Sequence, residues 1–248
     1  MKYFEYAIYD LDLSELDIKT NLEKVANNID AVSVPFYYTK MCKPLIGNKI
    51  IANAIDYPFG LSDIKTRNDA INNAIENGAE KIDIVFQNNY LSNKKYDKLR
   101  LDISNNLAIC QKHNVQLNYY LEYRIFTHQS LIKACNLLLE ASICTIYVST
   151  GHMLDDIHDN IIAYNLLKQK TNIQPIFTAN IWTKEHVSLL KKNKIESIRF
   201  TNTNAITNAN TNANTNTNTN TNSNMNSNSD SYSSPFGLWS SLSLVLVL

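Results

Sequence analysis

The sequence predicts an α/β fold, a (β/α)8 TIM barrel that ends in an Asn/Thr-rich C-terminal tail expected to be disordered. Three observations carry this. Eight short runs rich in β-branched and aromatic residues precede position 200, and most are followed by apolar residues at helical spacing. The connections are short, which suits right-handed crossovers between parallel strands. Eight repeats of the unit favour closure over an open sheet, and the chain is long enough to bury a full core.

The elements follow in order. Tyr6–Asp12 reads as the first strand, and Ser14 as the cap of a helix carrying Leu16, Leu22 and Val25. Asp30–Phe36 is the second strand, with Pro35 marking its end. Lys49–Ile55 is the third, running into the Pro58-Phe59-Gly60 turn, after which Ser62 caps a helix stopped by Gly78. Glu80–Phe86 is the fourth strand, with Asp83 inside an apolar run, and a helix from Lys94 to His113 follows. Val115–Glu122 is the fifth, and Thr127 caps a helix reaching Glu140. Cys144 to Val148 is the sixth, emptying into Ser149-Thr150-Gly151, with a helix from Leu154 to Gln169. Gln174–Asn180 is the seventh strand, Thr183 caps the next helix, and Ile195–Phe200 is the eighth. In such a barrel the chemistry sits at the C-terminal strand ends, where Asp10, Asp56, Glu122, Ser149 and Asn180 fall.

The division is therefore a barrel domain at 1–200, a low-complexity tract at 201–234 and a short apolar segment at 235–248. The tract has almost no apolar residues and cannot offset its ordering entropy. The last segment is too short to span a bilayer as a helix; it is either a substitute last helix or a remnant without a role. Charge is balanced, with 23 basic and 23 acidic residues, so no nucleic-acid or acidic-membrane surface is expected. The four cysteines form no C-x-x-C pair, and reduced thiols in a cytoplasmic protein are expected. The early acid and lack of a long apolar run argue against a signal peptide.

A strand that ends in a Gly turn before a helix is a natural anion site, because loop amides and the helix dipole converge there. Several segments together are more specific. Gly78–Val85 resembles the Gly-Ala-x-Glu-Ile-Asp-x-Val segment of the deoxyribose-phosphate aldolases. Tyr57-Pro58-Phe59-Gly60 is similar to their Phe-Pro-x-Gly turn, and Leu121-Glu122 to the Ile-Glu that ends their fifth strand. Ser149-Thr150-Gly151 resembles the end of Lys-Thr-Ser-Thr-Gly, and Asn180–Thr183 resembles Gly-(Ile/Val)-Arg-Thr. The resemblance runs in order from about Tyr6 to Phe200.

The resemblance implies a lyase of deoxyribonucleotide catabolism that needs no cofactor and no metal. It works through a Schiff-base lysine on strand six, with a second lysine on strand seven lowering its pKa and an Asp on strand four and a lysine on strand five handling protons. Asp83 matches the family's catalytic Asp, but Tyr147, Ile176 and Asn118 stand at the three lysine positions. A phenol cannot form an imine, and Lys49 and Lys81, at strand starts, lie at the wrong end of the barrel. Lys40 and Lys184 follow strands two and seven near the rim, but neither is expected to replace the missing Schiff-base lysine. The matching phosphate-binding positions are Ser149, Thr150, Gly151, Ala179 and Asn180, and the third family loop, due at Thr201, is overwritten by the repeat.

Three readings follow. The first is an aldolase-like pseudoenzyme with at most weak binding of a small sugar phosphate or aldehyde, in which Tyr147 fills the missing lysine's space. The second is an active carbon–carbon lyase using Asp83, Tyr147 and Glu122 in acid/base work without an imine. The third is a structural or interaction protein whose tail matters most. A homo-oligomer is compatible with each. The group His152, Asp155, Asp156, His158 and Asp159 reads as a helix start favoured by the dipole rather than a metal site.

Overall fold

A computed structural model describes residues 2–10, 12–153, 156–178 and 183–201. Eight parallel strands close into a barrel in sequence order: β1 (Tyr3–Ala7), β2 (Ala31–Val34), β3 (Ile50–Ile55), β4 (Lys81–Val85), β5 (Gln116–Tyr120), β6 (Thr145–Tyr147), β7 (Gln174–Thr178) and β8 (Ser197–Phe200). The ring shuts where Glu5 pairs in register with Arg199. The helices are α1 (Glu15–Val25), α2 (Thr39–Cys42), α3 (Ile64–Glu76), α4 (Asn88–Ser92), α5 (Tyr96–Lys112), α6 (His128–Glu140), α7 (Ile157–Lys170) and α8 (Lys184–Lys192). None of the helices among the described residues is long and apolar enough to cross a membrane. Apart from Thr201, the tract at 201–234 and the segment at 235–248 lie outside the described residues.

Two kinds of residue fill the molecule. Outward-facing strand residues such as Ile82, Ile84, Ile146, Phe177 and Ile198 pack on Leu22, Ile71, Leu99, Leu138 and Leu167 of the helices. A separate, smaller apolar group of Val85, Tyr120, Tyr147 and Ile176 lies inside the barrel. The alternation of strand side chains produces the two sets.

Local chemistry sets the helix ends. Thr127 and Thr183 accept the amides of Ser130 and His186, as the sequence implies, and Ser14 forms a full capping box with Asp17. Two starts differ from expectation. Asp63, not Ser62, caps α3, because Ser62 is drawn to the Asp56 carboxylate. Asp156 caps α7 by accepting the amides of His158 and Asp159, so the helix begins at Ile157 rather than Leu154, which lies with Asp155 outside the described residues. The helix expected from Lys94 is α5, which begins two residues later; Lys94 takes a positive φ and separates it from the short α4, which was not expected.

The β3–α3 turn is fixed from below. Arg67, fully buried, donates Nη1 to Asp56 at 2.6 Å and grips Asp102 of α5 through Nε and Nη2, both at 3.1 Å. Asp56, one of the acids expected at the rim, is thus a brace. Gly60 in the same turn has φ +64, and a Cβ there would collide with the carbonyl of Phe86.

Candidate active site

The inward faces of the strands build an ionic core around Tyr147. This side chain is fully buried, and its hydroxyl accepts from Lys81 Nζ at 2.8 Å and donates to Glu5 Oε2 at 2.7 Å. Asp83 Oδ2 lies 3.1 Å from the same phenol oxygen, and Asp83 Oδ1 accepts from Asn118 Nδ2 at 3.1 Å. Ile176 pairs in register with Tyr147 and packs in the same interior group. Asp83, Tyr147, Asn118 and Ile176 therefore converge, as the alignment requires.

Lys81 corrects the sequence reading. It does sit at the start of β4, but only 1% of it is exposed, and its ammonium reaches the barrel centre. There it pairs with Glu5, donates to Tyr3 Oη at 2.8 Å and lies 3.4 Å from Asp83. The aliphatic stem is long enough to carry the charge up from the strand's first residue. Lys40 and Lys184, the other amines considered, are exposed. The missed signal was the period of two: Lys81, Asp83 and Val85 share one face of the strand. The same alternation puts Tyr3 and Glu5 inside on β1, which begins at Tyr3 rather than Tyr6. It puts Arg199 inside on β8.

The protonation states follow from burial and charge. Burial by itself opposes every ion here. For Glu5, Lys81 and Arg199 nearby outweigh that penalty and hold its carboxyl below the usual range. For Lys81, burial favours the neutral amine, but the Asp83 and Glu5 charges prevail and push its pKa up. Asp83 is the exception: burial, with Glu5 adding to it against the pull of Lys81, raises it to about 6. Burial and the two carboxylates push the Tyr147 phenol well up, so it stays a neutral donor. Lys81, the one amine in this core among the described residues, is thus held as an ammonium.

Above Tyr147 the barrel is lined with aromatic rings. Tyr120 stacks on it at 4.4 Å, Tyr57 meets Tyr120 edge-on at 5.8 Å, and Tyr9 stacks on Tyr57 at 5.0 Å. The Arg199 guanidinium lies within 5.2–5.8 Å of the Tyr9, Tyr57 and Tyr120 rings, in cation–π range. The Tyr57 hydroxyl crosses the mouth to the Thr150 carbonyl at 2.9 Å.

The loop after β6 is held by its own side chains. Glu122 Oε2 accepts the Thr150 amide at 3.2 Å and the Thr150 hydroxyl at 2.8 Å. The Gly151 amide donates to Ser149 Oγ at 2.9 Å, and the His152 amide to Thr150 Oγ1 at 3.2 Å. Gly151 adopts φ +76. Ala179 and Asn180, the other expected phosphate contacts, lie outside the described residues.

A closed parallel barrel with an acid on β4 and a Ser-Thr-Gly loop after β6 defines an aldolase-type (β/α)8 protein. The comparisons narrow this. The chain is 28% identical to the deoxyribose-phosphate aldolase of Mycoplasma capricolum over 179 residues, 70% of this chain and 79% of that one. It is 30% identical to that of Mycoplasma mycoides over 154 residues, 60% of this chain and 77% of that one. The chain belongs to the deoxyribose-phosphate aldolase family. No family model matches it. The solved structure of QR15, an aldolase, superposes with a TM-score of 0.73 at 20% identity, over 85% of this chain and 94% of that one. The tetrameric deoxyribose phosphate aldolase of Aeropyrum pernix superposes at 0.68 and 13% identity, over 83% and 87%. These two likenesses show the fold.

Proposed function

We propose that this protein is a deoxyribose-phosphate aldolase homologue without Schiff-base activity, and that it binds sugar phosphates weakly at most. The observation that carries the reading is the state of Tyr147. The position that resembles the family's Schiff-base lysine holds a phenol bonded to Lys81 and Glu5 and covered by Tyr120. Lys81 is the one amine at hand, and a protonated amine has no lone pair for a carbonyl carbon. Weak phosphate binding is supported by the Thr150, Gly151 and His152 amides, each already donating to a side chain. Borohydride trapping with acetaldehyde should give no lysine adduct, and deoxyribose 5-phosphate should not be cleaved. A reduced adduct on Lys81 would overturn the reading.

One observation favours a second reading, in which cleavage proceeds without an imine. Asp83, raised to about 6, can take up or release a proton near neutrality, and the neutral Tyr147 hydroxyl 3.1 Å away orients it. Glu122 would then order the loop above them. Cleavage of deoxyribose 5-phosphate that borohydride leaves untouched would select this reading. In either case we assign the protein to the cytoplasm, which suits four free cysteines, three of them buried. The tetrameric Aeropyrum pernix relative supports self-association.

A further inference from the structure

The barrel core described so far is densely hydrogen-bonded around Tyr147, although Glu5 Oε1 makes no hydrogen bond among the described residues. Around Tyr147, Glu5 Oε2 receives Lys81, Tyr3 and Tyr147. Beneath the β6–α7 loop, three buried side chains carry polar atoms with no hydrogen-bond partner among the described residues. The atoms are Arg199 Nε and Nη2, the Tyr120 hydroxyl and Thr178 Oγ1. All three side chains are at most 2% exposed.

Their placement brings them together. Thr178 and Arg199 are register partners on β7 and β8, so both project inward from adjacent strands. The Arg199 guanidinium carbon lies 5.2 Å from the Tyr120 ring centre. The Thr178 methyl faces Gly151, where a Cβ would lie 3.1 Å from it, so the loop roofs the group. The remaining Arg199 contacts are loose. Nη1 reaches the Thr150 carbonyl at 3.4 Å, and Nε stands 3.5 Å from Glu5 Oε1. A buried guanidinium with unmade hydrogen bonds is costly, and the cost falls when an acceptor is supplied.

We propose that Arg199, Tyr120 and Thr178 form a site inside the upper barrel for a small carboxylate of one or two carbons. The donor set selects the ligand class. A guanidinium edge and two hydroxyls together offer protons from several directions, and a carboxylate accepts at both oxygens. The site differs from the Ser149-Thr150-Gly151 loop in residues and in ligand, and it stands whether or not the chain forms an imine. Entry requires the half-buried Tyr57 to release the Thr150 carbonyl.

The test uses the full chain, with acetate as probe and acetamide as its neutral counterpart. Titration calorimetry should detect acetate and show acetamide bound at least about tenfold more weakly, the difference a charge-assisted pair makes. Tyr120→Phe and Thr178→Val each delete an orphaned hydroxyl with little change of shape. Each should leave the unliganded melting temperature equal or higher, which shows that the variant folds, and weaken acetate about tenfold. Equal binding of acetate and acetamide would overturn the proposal. So would acetate binding that ignores both variants, or no acetate binding at all with only water found on the three donors.

Discussion

The helix-facing shell and the barrel interior are built on opposite physical terms. Apart from the Arg67 brace to Asp56 and Asp102, the shell is aliphatic: Ile71, Leu99, Ile146 and Leu138 meet by shape. The interior is ionic and aromatic: Glu5, Lys81, Asp83 and Arg199 are buried together among Tyr3, Tyr9, Tyr57, Tyr120 and Tyr147. A substitution in the shell costs volume. A substitution in the interior costs charge balance, so its residues depend on one another. The resemblance expects Glu where this chain has Lys81, and lysines where it has Asn118, Tyr147 and Ile176. On that resemblance all four departures fall at interior positions, while the shell keeps the barrel.

Four measurements would break or sharpen this contrast. The largest effect is expected from Lys81→Met, which strands Glu5 in the core and should cost about 3–5 kcal/mol in chemical denaturation. Adding Glu5→Gln should recover much of that loss; simple additivity would refute the coupling. Leu138→Ala in the shell should cost about 2–5 kcal/mol and show no dependence on pH. Asp83→Asn comes next and reads the interior through protons. Burial raises Asp83 in the folded state to about 6 from its ordinary 3.8. Its contribution is therefore fully present below that ordinary value and is lost as pH rises through 6. Melting curves between pH 4 and pH 7 should fall more steeply for the native protein than for Asp83→Asn. Glu5, whose pKa is lowered, works in the opposite sense and matters only in more acidic solution. The smallest effect is Thr127→Ala, which removes the cap of α6 and should cost about 1 kcal/mol.

The same contrast explains what was legible in the sequence. The shell was readable because aliphatic periodicity reports a helix or strand face directly, and all eight strands lie within a few residues of their expected places. The interior was readable only where it resembled a motif. Asp83 and Tyr147 were found that way, and the contact of Asp83 with Asn118 follows the register. Glu5, Lys81 and Arg199 were missed because a charged residue near a strand end reads as solvated. What buries each one is a partner from a distant strand: Glu5 on β1, Lys81 on β4 and Arg199 on β8 meet only when the barrel closes. Ser62 was misread for the same reason, since its partner Asp56 is set by Arg67 from α3.

The stack of Tyr120 on Tyr147 has an optical consequence. Two phenol rings 4.4 Å apart and inclined by 25° have coupled electronic transitions, held in one handed arrangement by the barrel. They should give the tyrosine region of the near-ultraviolet circular dichroism an intense signal, one that helix content does not produce. The part of that band contributed by the stacked pair would watch the barrel's centre. In an unfolding experiment, its loss can be timed against the far-ultraviolet signal of the helices, showing whether the ionic core opens before the shell or with it.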